Sequence, residues 1–267
     1  MLRLMALMLV FAGPAVAEGR RDSACLAMSE APARVIPAAF GAPLQADTLR
    51  IRFLGHASIA LETPGGVLAV TDYTGLIGNP QVVPDVVTMN IAHDTHFTDL
   101  PDPRIPLVLQ GWGALGLPAR IDEEVGDLRV RNVTSDLRGP FGEGGRKDGN
   151  SIFIFEAAGL CIGHLGHLHQ VLSDEQHAAI GRLDVVMVPV DGGYTMDADS
   201  MVAVVSRFRA RLVLPMHWFS ADRLMAFVSR MQPAFEVVLA GGPEVELSWD
   251  SLPRRPTLLV LEPALLP

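Results

Sequence analysis

Apolar and polar residues alternate through Leu49-Arg-Ile-Arg-Phe-Leu54, turn at Gly55-His-Ala-Ser58, and alternate again from Ile59 to Glu62. Period-two runs joined by a glycine-bearing turn predict paired strands. Pro64-Gly-Gly66 predicts a hairpin turn and Val67 to Thr71 a third strand, so this end of the chain reads as an antiparallel sheet. A short buried strand follows at 85–90, and further strands at 105–110 and 128–133. Ser151-Ile-Phe-Ile-Phe-Glu-Ala-Ala-Gly-Leu-Cys-Ile162 then predicts a strand, a turn at Gly159 and a returning strand. Beyond it the period changes. Ser173-Asp-Glu-Gln176 is a capping box opening a helix to about Leu183, and amphipathic helices over 197–210 and 222–231 alternate with apolar runs at 184–190, 212–217 and 235–239. A short strand over 245–249 precedes a proline-rich tail that predicts no element.

The first residues change the picture of where the folded part begins. One arginine, an apolar stretch and a small-x-small ending at Ala15-Val-Ala17 form a secretory signal pattern over 1–17, too short to span a bilayer comfortably. Cleavage after Ala17 leaves an Ala/Pro/Arg-rich arm over 18–47 and one domain over 48–267, with no repeat or second boundary. The expected location is periplasmic or secreted, with no membrane attachment after cleavage. An apolar fraction of 49% supports a large buried core, and the net charge of −9 is spread along the chain, which gives no footprint for nucleic acid. A small-molecule substrate is the expected partner; oligomeric state is not legible. The two cysteines, Cys25 and Cys161, either form a disulfide in an oxidising compartment or leave Cys161 as a buried thiol.

Histidine placement carries the chemistry. His164, His167 and His169 follow the strand ending near Ile162, and His93 and His96 follow the run at 85–90 with Asp94 and Asp99 beside them. His217 ends the run at 212–217, and Asp191, followed by two glycines and Tyr194, ends the run at 184–190. Neutral imidazoles on loops at strand ends are the commonest protein ligands for zinc and its neighbours. The connection over 136–149 is rich in Gly, Arg and Lys but lacks the spacing of a phosphate-binding loop, and reads as a surface loop.

Five segments in order resemble one family. Phe53-Leu-Gly-His-Ala-Ser-Ile59, Thr71-Asp72, Gly163-His-Leu-Gly-His-Leu-His169, Val188-Pro-Val-Asp-Gly-Gly-Tyr-Thr195 and Leu214-Pro-Met-His-Trp218 look like the corresponding segments of the metallo-β-lactamase-fold hydrolases, in particular the L-ascorbate-6-phosphate lactonase-like branch. The resemblance implies an α/β fold, a four-layer αβ/βα sandwich with metal-bearing loops along one sheet edge. It implies Asp72 as a structural aspartate. His96 and His217 match ligand positions, while His93, Asp94, Asp99 and His167 are substitutes at or near others; the family's H-x-H-x-D-H motif is altered, and its next histidine falls near Ser135 or Asp136.

The resulting expectation is an exported metal-dependent hydrolase acting on an ester, lactone, amide or phosphodiester. Its metal, zinc first and iron or manganese as alternatives, one or two ions, is held by some of His93, His96, His164, His167, His169 and His217. Asp191 or Asp94 accepts a proton from the attacking water, and Tyr194 stabilises the oxyanion. The alternative is a non-catalytic protein that keeps the fold and binds a metal or small molecule.

Overall fold

The alternation at the start of the domain becomes a hairpin. β1 (Thr48–Gly55) and β2 (Ser58–Glu62) pair antiparallel and turn Leu49, Ile51, Phe53, Ile59 and Leu61 to one face. In this computed structural model, which describes residues 23, 25, 40–114, 117–139 and 145–267, that face is one side of the main core. The signal segment and most of the N-terminal arm lie outside the described residues, as does the middle of the 136–149 connection.

β3 (Leu68–Val70) continues the antiparallel pairing, but β4 (Val86–Met89) and β5 (Leu107–Gln110) join in parallel. The sheet expected to be antiparallel is therefore mixed, closed on its far side by β13 (Glu244–Ser248) against β1. Parallel neighbours need long crossovers. Here those crossovers are the loops that carry Asp72, His93 and His96, so the switch in strand direction is also what brings the polar residues to one edge.

The second sheet holds eight strands, beginning at its edge with β6 (Asp122–Val125), β7 (Leu128–Leu137), β8 (Arg146–Ala157) and β9 (Leu160–His164). α1 (Asp174–Ile180), β10 (Val185–Pro189), α2 (Ala198–Phe208), β11 (Leu212–Met216), α3 (Ala221–Met231), β12 (Glu236–Leu239) and β14 (Thr257–Val260) complete it in the order β12-β14-β11-β10-β9. The Ser173 capping box forms as the sequence predicts, its hydroxyl accepting from the Gln176 N–H while the Gln176 side chain accepts from the Ser173 N–H. Two strands escape the sequence pattern. β6 is acidic and half exposed, and β14 hides among prolines yet is fully buried between β11 and β12.

The inner core lies between the sheets, where Phe153, Phe155 and Ile162 meet Ile51, Phe53 and Ile59. On the outer face of the eight-stranded sheet, α2 and α3 bury Met201, Val204, Val205, Phe227, Val228 and Met231. Over the outer face of the six-stranded sheet the fourth layer is made of loops and the C-terminal tail: Tyr73, Ile77, Ile105 and Leu266 cover Leu54, Val70, Val87 and Met89. Cys25 and Cys161 are joined by a disulfide with a Cα separation of 5.6 Å, settling the two readings of the cysteines and leaving Cys161 in the outer core rather than at the histidine loops.

Candidate metal centre

Six side chains reach the sheet edge from six different strand ends: His56 from the β1–β2 turn, Asp72 after β3, His96 after β4, His167 after β9, Asp191 after β10 and His217 after β11. Three of them, His56 (φ 52°), Asp72 (φ 41°) and His217 (φ 60°), have left-handed backbones. That region is costly for residues other than glycine and persists where surrounding structure imposes it, which makes such residues candidates for function. A hydrogen bond of 2.6 Å from the His217 N–H to the His56 carbonyl ties β11 to the β1–β2 turn across the two sheets.

His56, His96 and His217 each offer a ring nitrogen within 4.8 Å of those of the other two. The Nε2 atoms of His96 and His217 face each other at 3.0 Å, with the rings stacked. His56 packs on His217 with ring centroids 4.0 Å apart, and its buried Nε2 has no hydrogen-bond partner. Behind the cluster stand two carboxylates. Asp72 Oδ2 lies 2.6 Å from His96 Nδ1, while its Oδ1 accepts from the Asn90 N–H at 2.9 Å. Asp191 Oδ2 lies 2.9 Å from His217 Nδ1, an ion-pair distance without the direction of a hydrogen bond. Carboxylates behind imidazoles fix the ring and favour a lone pair on the opposite nitrogen, the usual outer arrangement of a histidine metal site.

Electrostatics agree with that arrangement. Burial, reinforced by the positive charge that protonated His217 and His96 would carry, holds the His56 imidazole down to about 3. His96 is held well below its ordinary value by burial and by His217 and His93. His56 and His96 are thus neutral at physiological pH, as imidazole ligands must be. Burial pushes the Asp72 carboxyl up to about 7 against the pull of His164 and of the Asn90 N–H. For Asp191 burial works the same way, but His217, Thr195 and the backbone N–H groups of Thr195 and Gly193 outweigh it and lower the carboxyl.

A divalent cation suits these donors: a buried imidazole nitrogen without a partner, beside two facing imidazole nitrogens whose rings are held from behind. His56, His96 and His217 are the residues that would hold it. Asp72→Asn keeps the shape behind His96 while removing the carboxylate charge. We expect it to weaken metal affinity about 10–100-fold, read by competition with a chromophoric chelator, with the folded structure retained.

The other sequence candidates fall elsewhere. His164, at the tip of β9, is fully buried between the sheets; its Nε2 donates to the Ala57 carbonyl at 2.9 Å and its Nδ1 accepts from the Gly166 N–H at 3.2 Å, so neither nitrogen is left for a ligand. His167 and His169 form a chain instead of a ligand pair. The Arg138 N–H donates to His169 Nδ1 at 2.9 Å, which puts the His169 proton on Nε2, 2.7 Å from His167 Nδ1. His167 in turn carries its proton on Nε2 and is a hydrogen-bond donor beside His96 and His217, whose ring centroids lie 4.9 and 5.1 Å away. His93 is exposed, with its Nδ1 3.2 Å from the Thr95 hydroxyl.

Asp191 is expected as a proton acceptor, but its Oδ1 already accepts from the N–H groups of Gly193, Tyr194 and Thr195, and its Oδ2 from the Thr195 hydroxyl at 2.5 Å. It shapes the loop and backs His217. Asp94 and Tyr194 are exposed, Tyr194 edge-on to Phe219 at 5.2 Å. Ser135, where the resemblance expects an imidazole, is buried and accepts from Asn150 at 3.0 Å. His56 carries no local signal in the sequence beyond its place in the opening strand and turn, yet the fold makes it the third imidazole of the cluster.

Packing around the centre is tight. Gly166 has φ 60°, and a Cβ there would sit 2.2 Å from Asn90 Nδ2 and 2.5 Å from Asn150 Oδ1. These two asparagines also hold the Ser151 carbonyl and the His167 N–H.

Comparison with known proteins places this architecture. A β-lactamase superfamily domain model matches residues 50–217. The UPF0173 metal-dependent hydrolase of Methanosphaerula palustris is 26% identical over 220 residues, covering 74% of this chain and all of that protein. Its Pyrococcus abyssi counterpart is 25% identical over 232 residues, covering 74% of this chain and 100% of that one. Among solved structures, a Thermotoga maritima protein described as a Zn-dependent hydrolase of the metallo-β-lactamase superfamily gives a TM-score of 0.58 at 26% identity, over 80% of this chain and 98% of that one. A metallo hydrolase from Ignicoccus hospitalis, at 18% identity and TM-score 0.51 over 70% and 91% of the two chains, shares the fold. Matched to that domain over more than half of its length, and built as the same two-sheet sandwich, the chain belongs to the β-lactamase superfamily and has the metallo-β-lactamase fold.

Proposed function

We propose that the chain is an exported hydrolase that uses one divalent metal ion, zinc first, to cleave a small ester, lactone, amide or phosphodiester. The observation that carries this reading is the His56–His96–His217 cluster, with its orphaned Nε2 and its two carboxylate-backed rings. The metal-dependent hydrolysis named for its relatives supports the reaction class. A metal held by these imidazoles supplies Lewis acidity, activating water and polarising the scissile group.

The rest of the chemistry belongs to the chain. Asp72 and Asp191 orient His96 and His217. His167, with its proton on Nε2, is placed to donate a hydrogen bond to negative charge developing beside the cluster. Asp94, exposed on the wall of the cleft that His56 also lines, is the carboxylate available to take a proton from attacking water. Arg138 fixes the 193–195 loop by donating to the carbonyls of Gly193 and Thr195, which keeps Tyr194 at the rim. Export is supported by the residues 1–17 pattern and by the Cys25–Cys161 disulfide, a bond that persists in oxidising compartments. The periplasm or the outside of the cell is the location we propose.

The test is elemental analysis and turnover on protein recovered after secretion, its mass fixing the N-terminus. We expect the chain to begin at Glu18, to hold about one equivalent of metal, and to lose hydrolysis of an ester, lactone, amide and phosphodiester panel on chelation and regain it on readdition. Bound metal with no turnover on any member of the panel contradicts the hydrolase reading. It would favour a fold that binds metal without catalysis, which the altered ligands at Asp94, Ser135 and His167 also favour.

A further inference from the structure

A cleft of about 350 Å³ opens beside the histidine cluster, and His56 forms part of its wall. Its apolar lining is unusually exposed for leucine: Leu76 is 66% and Leu265 42% accessible, above a buried Leu54. Such residues on a concave surface next to chemistry mark a binding site rather than scattered surface apolarity. Ser58, Thr74 and Thr95 are neutral, and Asp94 is the one carboxylate on the wall, with no lysine or arginine among the described lining residues. An anionic group carried along that cleft, away from His56, would meet the Asp94 charge with no lysine or arginine on the wall to pair it. Arg138 and Lys147 line a different cleft on the His169 side, and Arg223 lies beside Gly192.

We infer that the cleft bounded by His56, Leu54, Leu76 and Leu265 is the acyl subsite, and that the substrate is a carboxylic ester or lactone with an uncharged aliphatic acyl chain rather than one whose chain carries an anionic group. The inference rests on the proposed hydrolase function and deepens it. In the reaction, the oxygen of water adds to the acyl carbon and the acyl–oxygen bond to the leaving alcohol breaks. One proton from water passes to that alcohol, and the other is released with the carboxylic acid product. Leu76 and Leu265 bind the chain of the acyl group, His56 lies at its reacting end, and Asp94 excludes anionic chains.

The experiment has a kinetic and a binding arm, both on the full mature chain. With metal-loaded protein, kcat/KM rises from p-nitrophenyl acetate through butyrate and hexanoate to octanoate by roughly threefold to fourfold per methylene until the cleft is filled. Leu76→Asp and Leu265→Asp flatten that rise, while Leu100→Asp, at an exposed leucine away from the cleft, leaves it unchanged. With chelator present, octanamide binding measured by calorimetry weakens at least tenfold in Leu76→Asp. Octanamide binding that depends on Leu76, without turnover of any ester, removes the hydrolase function and keeps the apolar site. Ester turnover that ignores chain length and both aspartate variants overturns the subsite and keeps the hydrolase. Preferred turnover of a phosphodiester overturns the substrate class.

Discussion

His56→Ala is expected to abolish metal retention as completely as His96→Ala and His217→Ala, and to take hydrolysis with it. The three imidazoles stand on three separate strand ends, and each ring has a different support. His96 is held by Asp72 at 2.6 Å, His217 by Asp191 at 2.9 Å, and His56 by tilted ring contact with His217, its Nε2 left unpaired. Removing any one leaves two nitrogen donors, too few for a catalytic site that keeps three protein ligands and one open position. His56 is a discriminating choice because its ring is only partly buried, so truncation opens little cavity and the fold survives. Metal content by mass spectrometry, with far-ultraviolet circular dichroism to show folding, checks it. Retained stoichiometric metal in His56→Ala would assign the third ligand elsewhere, with His167 the nearest alternative.

Cys161→Ser is expected to destabilise the mature protein by about 2–5 kcal/mol, a drop in Tm of roughly 5–15 °C at the scaling of a domain this size. The bond closes a loop of 136 residues and fixes Cys25 in the outer core beside the 182 backbone, where the Arg182 N–H donates to the Cys25 carbonyl at 2.8 Å. Breaking it restores conformational freedom to the unfolded chain and releases Cys25 from its place in the outer core. Thermal unfolding of Cys161→Ser, and of the natural chain with and without reductant, reads the effect. The two should agree, since each breaks the same bond. No difference between oxidised and reduced chains would mean that the arm contributes nothing to the domain.

The strands and helices were legible where one periodicity ran long enough to bury a face, as in the β1–β2 hairpin, β8–β9 and the capped α1. β14 was not, because Pro253, Pro256 and Pro263 surround it and its burial depends on β11 and β12, which lie far away in sequence. β6 was not, because Asp122-Glu-Glu-Val125 is an edge strand with little apolar face to show. At the site, density of histidine misdirected the reading. His164 is four residues beyond Leu160 and two beyond Ile162 in an alternating strand, so its inward direction could have been read from its period.

His56 was hidden for the opposite reason: it is a single histidine in what reads as an ordinary turn. Its significance comes from a left-handed backbone and from His217 arriving across the sheets, neither of which is local to its own sequence. Asp191 illustrates a limit of residue type. A carboxylate at a strand end has the right chemistry for a base, but the two glycines after it fold the backbone so that three N–H groups cover one oxygen.

X-ray absorption spectroscopy of the metal-loaded mature protein tests the central claim most directly, because it counts ligands and neighbouring metals together. One ion per chain with three imidazole nitrogens at about 2.0–2.1 Å, and no metal scatterer at about 3.5–4 Å, is what the His56–His96–His217 centre predicts. A second metal at that distance, or fewer than three imidazoles in the first coordination sphere, would contradict a single three-histidine site.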